Sequence, residues 1–203
     1  MSKAQQQSKS PKVVSIHEHA FDNLRFIRET MERAGAFTAV PGWGGVLMGV
    51  SAVLTAFLTA RLPSKEYWFE AWMGEAILAC GIGLFAMVQK SQAVKSPLLN
   101  GPGRKFALSL LPPMLAGAVL TLFLYQHGLY ELMPGLWLIL YGVAITTGGA
   151  FSVNVVPLMG VSFMLLGSAA LFSPQGWSNF YMGVGFGGLQ ILFGSIIARR
   201  YGG

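Results

Sequence analysis

Six long apolar stretches follow one another along the chain, broken by short polar segments, at about residues 41–60, 69–88, 106–126, 134–151, 155–172 and 177–198. About 20 residues of α-helix, rising roughly 1.5 Å each, cross the hydrocarbon of a bilayer. The pattern therefore predicts six transmembrane helices. The fourth and fifth stretches are the shortest and are separated only by Ser152, Val153 and Asn154. Asn154 and Pro157 favour two spans there over one continuous buried hairpin. Pro41, Pro134 and Pro157 fall at predicted helix starts, where a missing N–H costs nothing. Pro112 and Pro113 fall inside the third span and predict a kink.

The pattern before residue 39 is different. Residues 1–14 are rich in Ser, Gln and Lys, have nothing to bury, and are expected to be a disordered tail. Ser15 with Glu18 three residues on has the form of a capping box. Ala20, Leu24, Ile27, Met31 and Ala34 then recur at spacings of four and three, which predicts an amphipathic helix within 15–38. Phe21 and Phe26 widen its apolar face, and Gly35 suits the position just past its end. The candidate contact residues for a membrane surface or a partner are Phe21, Leu24, Ile27 and Met31. The predicted fold class is an all-α integral membrane protein: this cytoplasmic or interfacial helix, then a six-helix transmembrane domain over 39–203, arranged as three hairpins.

Composition supports the membrane assignment. The 203 residues are 53% hydrophobic and 11% charged, against about 25% charged in soluble domains. The net charge of +6 would suit nucleic acid, but its distribution explains it otherwise. Lys3, Lys9, Lys12, Arg25, Arg28, Arg33, Lys90, Lys95, Arg104, Lys105, Arg199 and Arg200, 12 of the 14 basic residues, fall on one side of the predicted topology. Only Arg61 and Lys65 fall on the other. The positive-inside rule then puts both termini in the cytoplasm of a bacterial inner (plasma) membrane, with no nucleic acid as partner. Tyr67, Trp68, Trp72, Tyr130, Trp177 and Tyr181 are expected at the opposite ends of the spans as an interfacial belt. The first forty residues contain no apolar leader.

An internal repeat is visible. Met48-Gly49-Val50-Ser51 recurs as Met159-Gly160-Val161-Ser162, and Pro63 and Pro174 share the same offset. Spans one and two would match spans five and six, with spans three and four as a divergent third hairpin. The segment from Pro157 to Pro174, with the glycines from Gly183 to Gly194 and the Ala198-Arg199-Arg200 end, resembles the tandem hairpin repeats of HdeD-like bacterial membrane proteins. Some members of that group are linked to acid resistance, and a role of that kind is what the resemblance implies. Residues 23–33, Pro41-Gly42-Trp43-Gly44-Gly45 and Pro134-Gly135-Leu136-Trp137-Leu138 give the whole chain a likeness to small bacterial inner-membrane proteins with no assigned activity.

Candidate chemistry is sparse. His17 and His19 at i, i+2 point to different helix faces and do not make a metal site. No metalloprotease, dithiol, nucleophile-elbow or phosphate-loop motif occurs, so no cofactor and no catalytic residue is expected. The single Cys80 excludes an internal disulfide and is expected to be a small buried hydrophobe. The glycines from Gly183 to Gly188, with Gly45 and Gly49, are expected to bring helices close together. Two polar residues lie deep in spans. Glu75 sits about 10 Å below the interface on a helix, where a carboxyl must be neutral, paired or wetted. Gln190 is expected to make an interhelical hydrogen bond. Glu75 and Gln190 are the candidate intramembrane functional residues. They leave open a structural or regulatory membrane protein, contacting the bilayer, a cytoplasmic protein or a second copy, and a small proton- or ion-coupled transporter or channel.

Overall fold

The computed structural model describes residues 23–24, 27, 37–62, 64–93, 101–174 and 176–202. The chain divides into two units, Met1–Gly35 and Ala36–Gly203. In the first, Asn23, Leu24 and Ile27 are helical and exposed. Phe21, Met31, the Ser15–Glu18 pair and the two early histidines lie outside the described residues.

The second unit is helical. Its elements are α1 (Gly42–Thr59), α2 (Lys65–Ala93), α3 (Gly101–Gln126), α4 (Met133–Gly149), α5 (Val155–Leu171) and α6 (Ser178–Tyr201). A 3-10 turn, Tyr130–Leu132, leads into α4. Five of these helices, α4 taken with its leading turn, are long and apolar enough to cross a membrane, and α5 is a shorter apolar helix of 17 residues. Thus, among the described residues, each of the six apolar stretches falls on one of these six helices. α2 and α3 overrun their apolar stretches, because a helix already formed propagates into polar sequence at little cost. The prolines act as anticipated at α4, where Pro134 lies in the first turn, and Pro112 and Pro113 are inside α3.

Glycine sets the closest helix approaches. Along α4 and α5, Gly142 faces Gly160, Gly135 faces Gly167, and Gly149 faces Pro157. A Cβ on Gly160 would stand 2.6 Å from the Gly142 carbonyl oxygen. Along α1 and α6, Gly45 faces Gly194 and Gly49 faces Gly187, and a Cβ on Gly49 would lie 2.8 Å from the Gly187 oxygen. Without side chains the backbones meet directly, and dispersion replaces a hydrophobic drive that lipid does not supply. Gly183–Leu189 is a π-helical segment within α6, in which Gly185 meets Leu138 of α4 and Gly187 meets Val53 of α1 while Gly188 meets nothing within 4 Å.

The two ends of the bundle differ. At one end the three short turns meet: Lys65 of α2 pairs with Glu131 at 3.1 Å, and Ser178 of α6 donates to the same carboxylate at 2.8 Å. At the other end the extended segment Phe37–Val40, the α4–α5 turn and the helix tails meet. Phe37 N–H donates to Phe151 O at 2.6 Å, Ser152 Oγ donates to Phe37 O at 2.6 Å, and Phe37 packs on Phe106. Lys90 is buried there and donates to the carbonyls of Val40 and Gly202. Arg104, Lys105, Arg199 and Arg200 belong to this basic end, and Arg61 and Lys65 to the turn end.

Candidate functional site

Ser51, Thr55 and Thr59 follow one another at i, i+4 and i+8 on α1, so they form one column of hydroxyls. The column faces α2 and α6. Glu75 of α2 is buried against it, 7% exposed. Ser51 Oγ lies 2.7 Å from Glu75 Oε1, and Thr55 Oγ1 donates to Oε2 at 3.2 Å. Both carboxyl oxygens are therefore engaged by one neighbouring helix.

The hydrogens at this site can be counted. Ser51 Oγ is also 2.9 Å from Met48 O. A hydroxyl has one hydrogen to give. A neutral Glu75 that donates to Ser51 Oγ lets Ser51 donate to Met48 O, and every group is then satisfied. An ionised Glu75 makes two acceptors compete for the Ser51 hydrogen.

Toward the turn end the column continues into a second polar node. Thr59 Oγ1 lies 2.7 Å from Thr55 O and 2.8 Å from Asn179 Oδ1. Asn179 Oδ1 also accepts the indole N–H of Trp68 at 3.0 Å and of Trp72 at 3.3 Å, and Asn179 Nδ2 donates to Ala56 O at 2.7 Å. One amide thus joins α1, α2 and α6. Trp68 stacks on Trp137 with centroids 5.9 Å apart and planes 4° apart, and Trp137 Nε1 donates to Thr121 Oγ1 of α3 at 2.8 Å. Thr59, Trp68 and Asn179 line a cleft of about 320 Å³ at the turn end, with Ser64, Lys65 and Glu131 on its rim. A neighbouring cleft of about 220 Å³ shares Glu131 and Ser178. Neither cleft is lined by Glu75.

The structure separates the two candidate intramembrane residues. Gln190 is buried and makes the anticipated interhelical bond, but to Tyr141 of α4: Gln190 Nε2 donates to Tyr141 OH at 3.2 Å. Its neighbours are aromatic, with Tyr141 edge-on to Phe163 and Phe186. A span hydroxyl, not Gln190, serves Glu75.

Two expectations are corrected. Cys80 is exposed, because only one face of α2 meets the bundle and Cys80 lies on another. Trp72 is 2% exposed and is a core residue instead of a belt residue, since the Asn179 amide gives its N–H an interior acceptor. Asn179, Thr55 and Thr59 escaped the sequence reading, and Ser51 entered it only as part of the repeat. The i, i+4, i+8 spacing of the hydroxyls was the available signal.

Among the described residues no group of three or more His, Cys, Asp or Glu is placed to hold a metal ion. No family model, curated protein or solved structure matches the chain.

Proposed function

We propose that the chain is a non-enzymatic integral membrane protein with a regulatory or stress-response role, in which Glu75 is a neutral polar tie between α1 and α2. The observation that carries this is the engagement of both Glu75 oxygens by Ser51 and Thr55. A carboxyl held this way within an apolar bundle locks two helices in register, whereas a transport site needs ligands free to exchange. The gathering of Lys90, Arg104, Lys105, Arg199 and Arg200 at one end favours a bacterial inner membrane with both termini in the cytoplasm. The bundle is read as three hairpins, and the paired use of Gly49 and Gly160 at helix contacts supports the repeat. The HdeD-like resemblance of the last hairpin points the same way. The face carrying Phe21, Leu24, Ile27 and Met31 is assigned to the membrane surface or to a cytoplasmic protein.

A proton-coupled transporter is the second reading, favoured by the hydroxyl column that runs from Glu75 toward the turn-end cleft. Reconstitution in vesicles with an entrapped pH dye separates the two. The regulatory reading expects no more proton flux than empty vesicles under an imposed gradient. Flux that disappears in Glu75→Gln would replace it with the transporter.

A further inference from the structure

We infer that the smaller turn-end cleft, walled by Glu131, Trp177 and Tyr181, is a binding site for a primary ammonium group carried on a short apolar stem. The site goes beyond the regulatory role of the chain and is independent of Glu75, so failure of one leaves the other in place.

The hydrogens of the cleft wall select a donor as the ligand. Ser173 Oγ donates to Ala169 O at 2.8 Å. A hydroxyl has one hydrogen to give, so the 2.5 Å contact between Ser173 Oγ and Tyr181 OH takes the Tyr181 hydrogen. Ser178 Oγ gives its hydrogen to Glu131 Oε2 at 2.8 Å. The oxygens of Tyr181 and Ser178 are left with lone pairs only. Glu131 keeps capacity as well, because a carboxylate has about four acceptor sites and the side chains donating to it are Ser178 and Lys65. Among the described residues, the indole N–H of Trp177 is the remaining side-chain donor of this wall. Acceptors on Glu131, Tyr181 and Ser178 match an ammonium group, which carries three donors and no acceptor. A neutral alcohol brings a single donor, and an anion brings none.

Charge and shape agree with that count. Glu131 is the carboxylate of the wall, which includes no Lys or Arg, and Lys65 lines the neighbouring cleft instead. Glu131 stands beside Ser178, the first residue of α6, where negative charge complements the helix dipole. The rings of Trp177 and Tyr181, with centroids 6.4 Å apart, add faces on which a cation is attracted. Leu132, Pro134, Leu171 and Pro174 make the rest of the wall apolar and suit an alkyl stem. The volume of about 220 Å³ corresponds to about seven waters at roughly 30 Å³ each, room for an ammonium with a stem of roughly two or three carbons. A free alkylamine and the ethanolamine headgroup of a lipid both carry this group.

Isothermal titration of the full chain, purified in an amine-free detergent, tests the site. The probes are n-propylammonium chloride, short-chain phosphatidylethanolamine, and phosphatidylglycerol of the same chains. Saturable binding of propylammonium assigns a free amine, whether or not the ethanolamine lipid also binds. Saturable binding of the ethanolamine lipid, without propylammonium or phosphatidylglycerol, assigns a headgroup. Under either result Glu131→Gln should weaken binding by more than about tenfold. Tyr181→Phe, which keeps the ring and removes the acceptor, should weaken it about tenfold, as expected for one hydrogen bond to a charged group. Glu66→Gln removes an exposed carboxylate that lines neither cleft and should leave the affinity unchanged. The site is overturned by saturation with neither amine probe, or by n-propanol binding as tightly as propylammonium. Equal losses in Glu66→Gln and Glu131→Gln overturn it too, as does native affinity in both Glu131→Gln and Tyr181→Phe.

Discussion

Trp68 and Asn179 are 111 residues apart, and the indole N–H of one donates to the amide oxygen of the other at 3.0 Å. That separation equals the offset between the two Met-Gly-Val-Ser segments. The contact ties α2 to α6 at the turn end, with a ring donor on one helix and an amide acceptor on the other.

Removing the amide should be costly. Asn179→Ala strips the acceptor from Trp68, Trp72 and Thr59 and the donor from Ala56 O. Thr59 retains Thr55 O, but the indoles do not regain a partner from the substituted residue. Each buried donor left unpaired costs about 1–3 kcal/mol. Thermal unfolding in detergent should show a clear fall, accompanied by altered tryptophan fluorescence. Unchanged stability would mean that water serves the indoles equally well.

The glycines should divide sharply by position. Gly160→Ala puts a methyl within 2.6 Å of the Gly142 carbonyl oxygen and against the Thr146 side chain, so α4 and α5 must separate. Overpacking of this kind costs about 1–3 kcal/mol. Gly81→Ala meets nothing within 4 Å and should be neutral or mildly stabilising, because alanine loses less backbone entropy in a helix than glycine. Unfolding midpoints of the two variants, measured side by side, check the contrast.

Orientation can be read by chemical labelling. In a Cys80→Ala background, Lys65→Cys should react with an impermeant thiol reagent added to whole cells, and Arg104→Cys should react only after the membrane is opened. Both side chains are exposed, so burial will not mask the result. The reverse pattern would place the basic end outside.

Much of this architecture was legible from hydropathy, because a membrane helix must be both long and apolar. The predicted stretch 177–198 and the helix Ser178–Tyr201 differ by only a few residues. The depth of Glu75 was legible for the same reason: position along a helix is a distance. What hydropathy does not carry is rotation about the helix axis. Cys80 and Glu75 lie on one span, yet one faces out and the other faces α1. The partner of Gln190 was hidden likewise, since Tyr141 is 49 residues away on α4. Asn179 was passed over because it stands two residues after Trp177, near the mouth of a span, where polar residues normally meet water. Only the fold shows that Trp68 and Trp72 turn inward to meet it.

The central claim, that Glu75 is a neutral tie between α1 and α2, is tested most directly by comparing the unfolding of Glu75→Gln and Glu75→Leu with the native protein in the same detergent. An amide can donate to Ser51 and accept from Thr55 as a neutral acid does, so Glu75→Gln should remain within about 1 kcal/mol of native, roughly the net worth of a single hydrogen bond. Glu75→Leu abolishes both links and should lose about 1–3 kcal/mol, since Ser51 and Thr55 keep half-buried hydroxyls without their carboxyl partner. If Glu75→Gln proves as destabilised as Glu75→Leu, a charged carboxylate is what the bundle requires, and the neutral tie is contradicted.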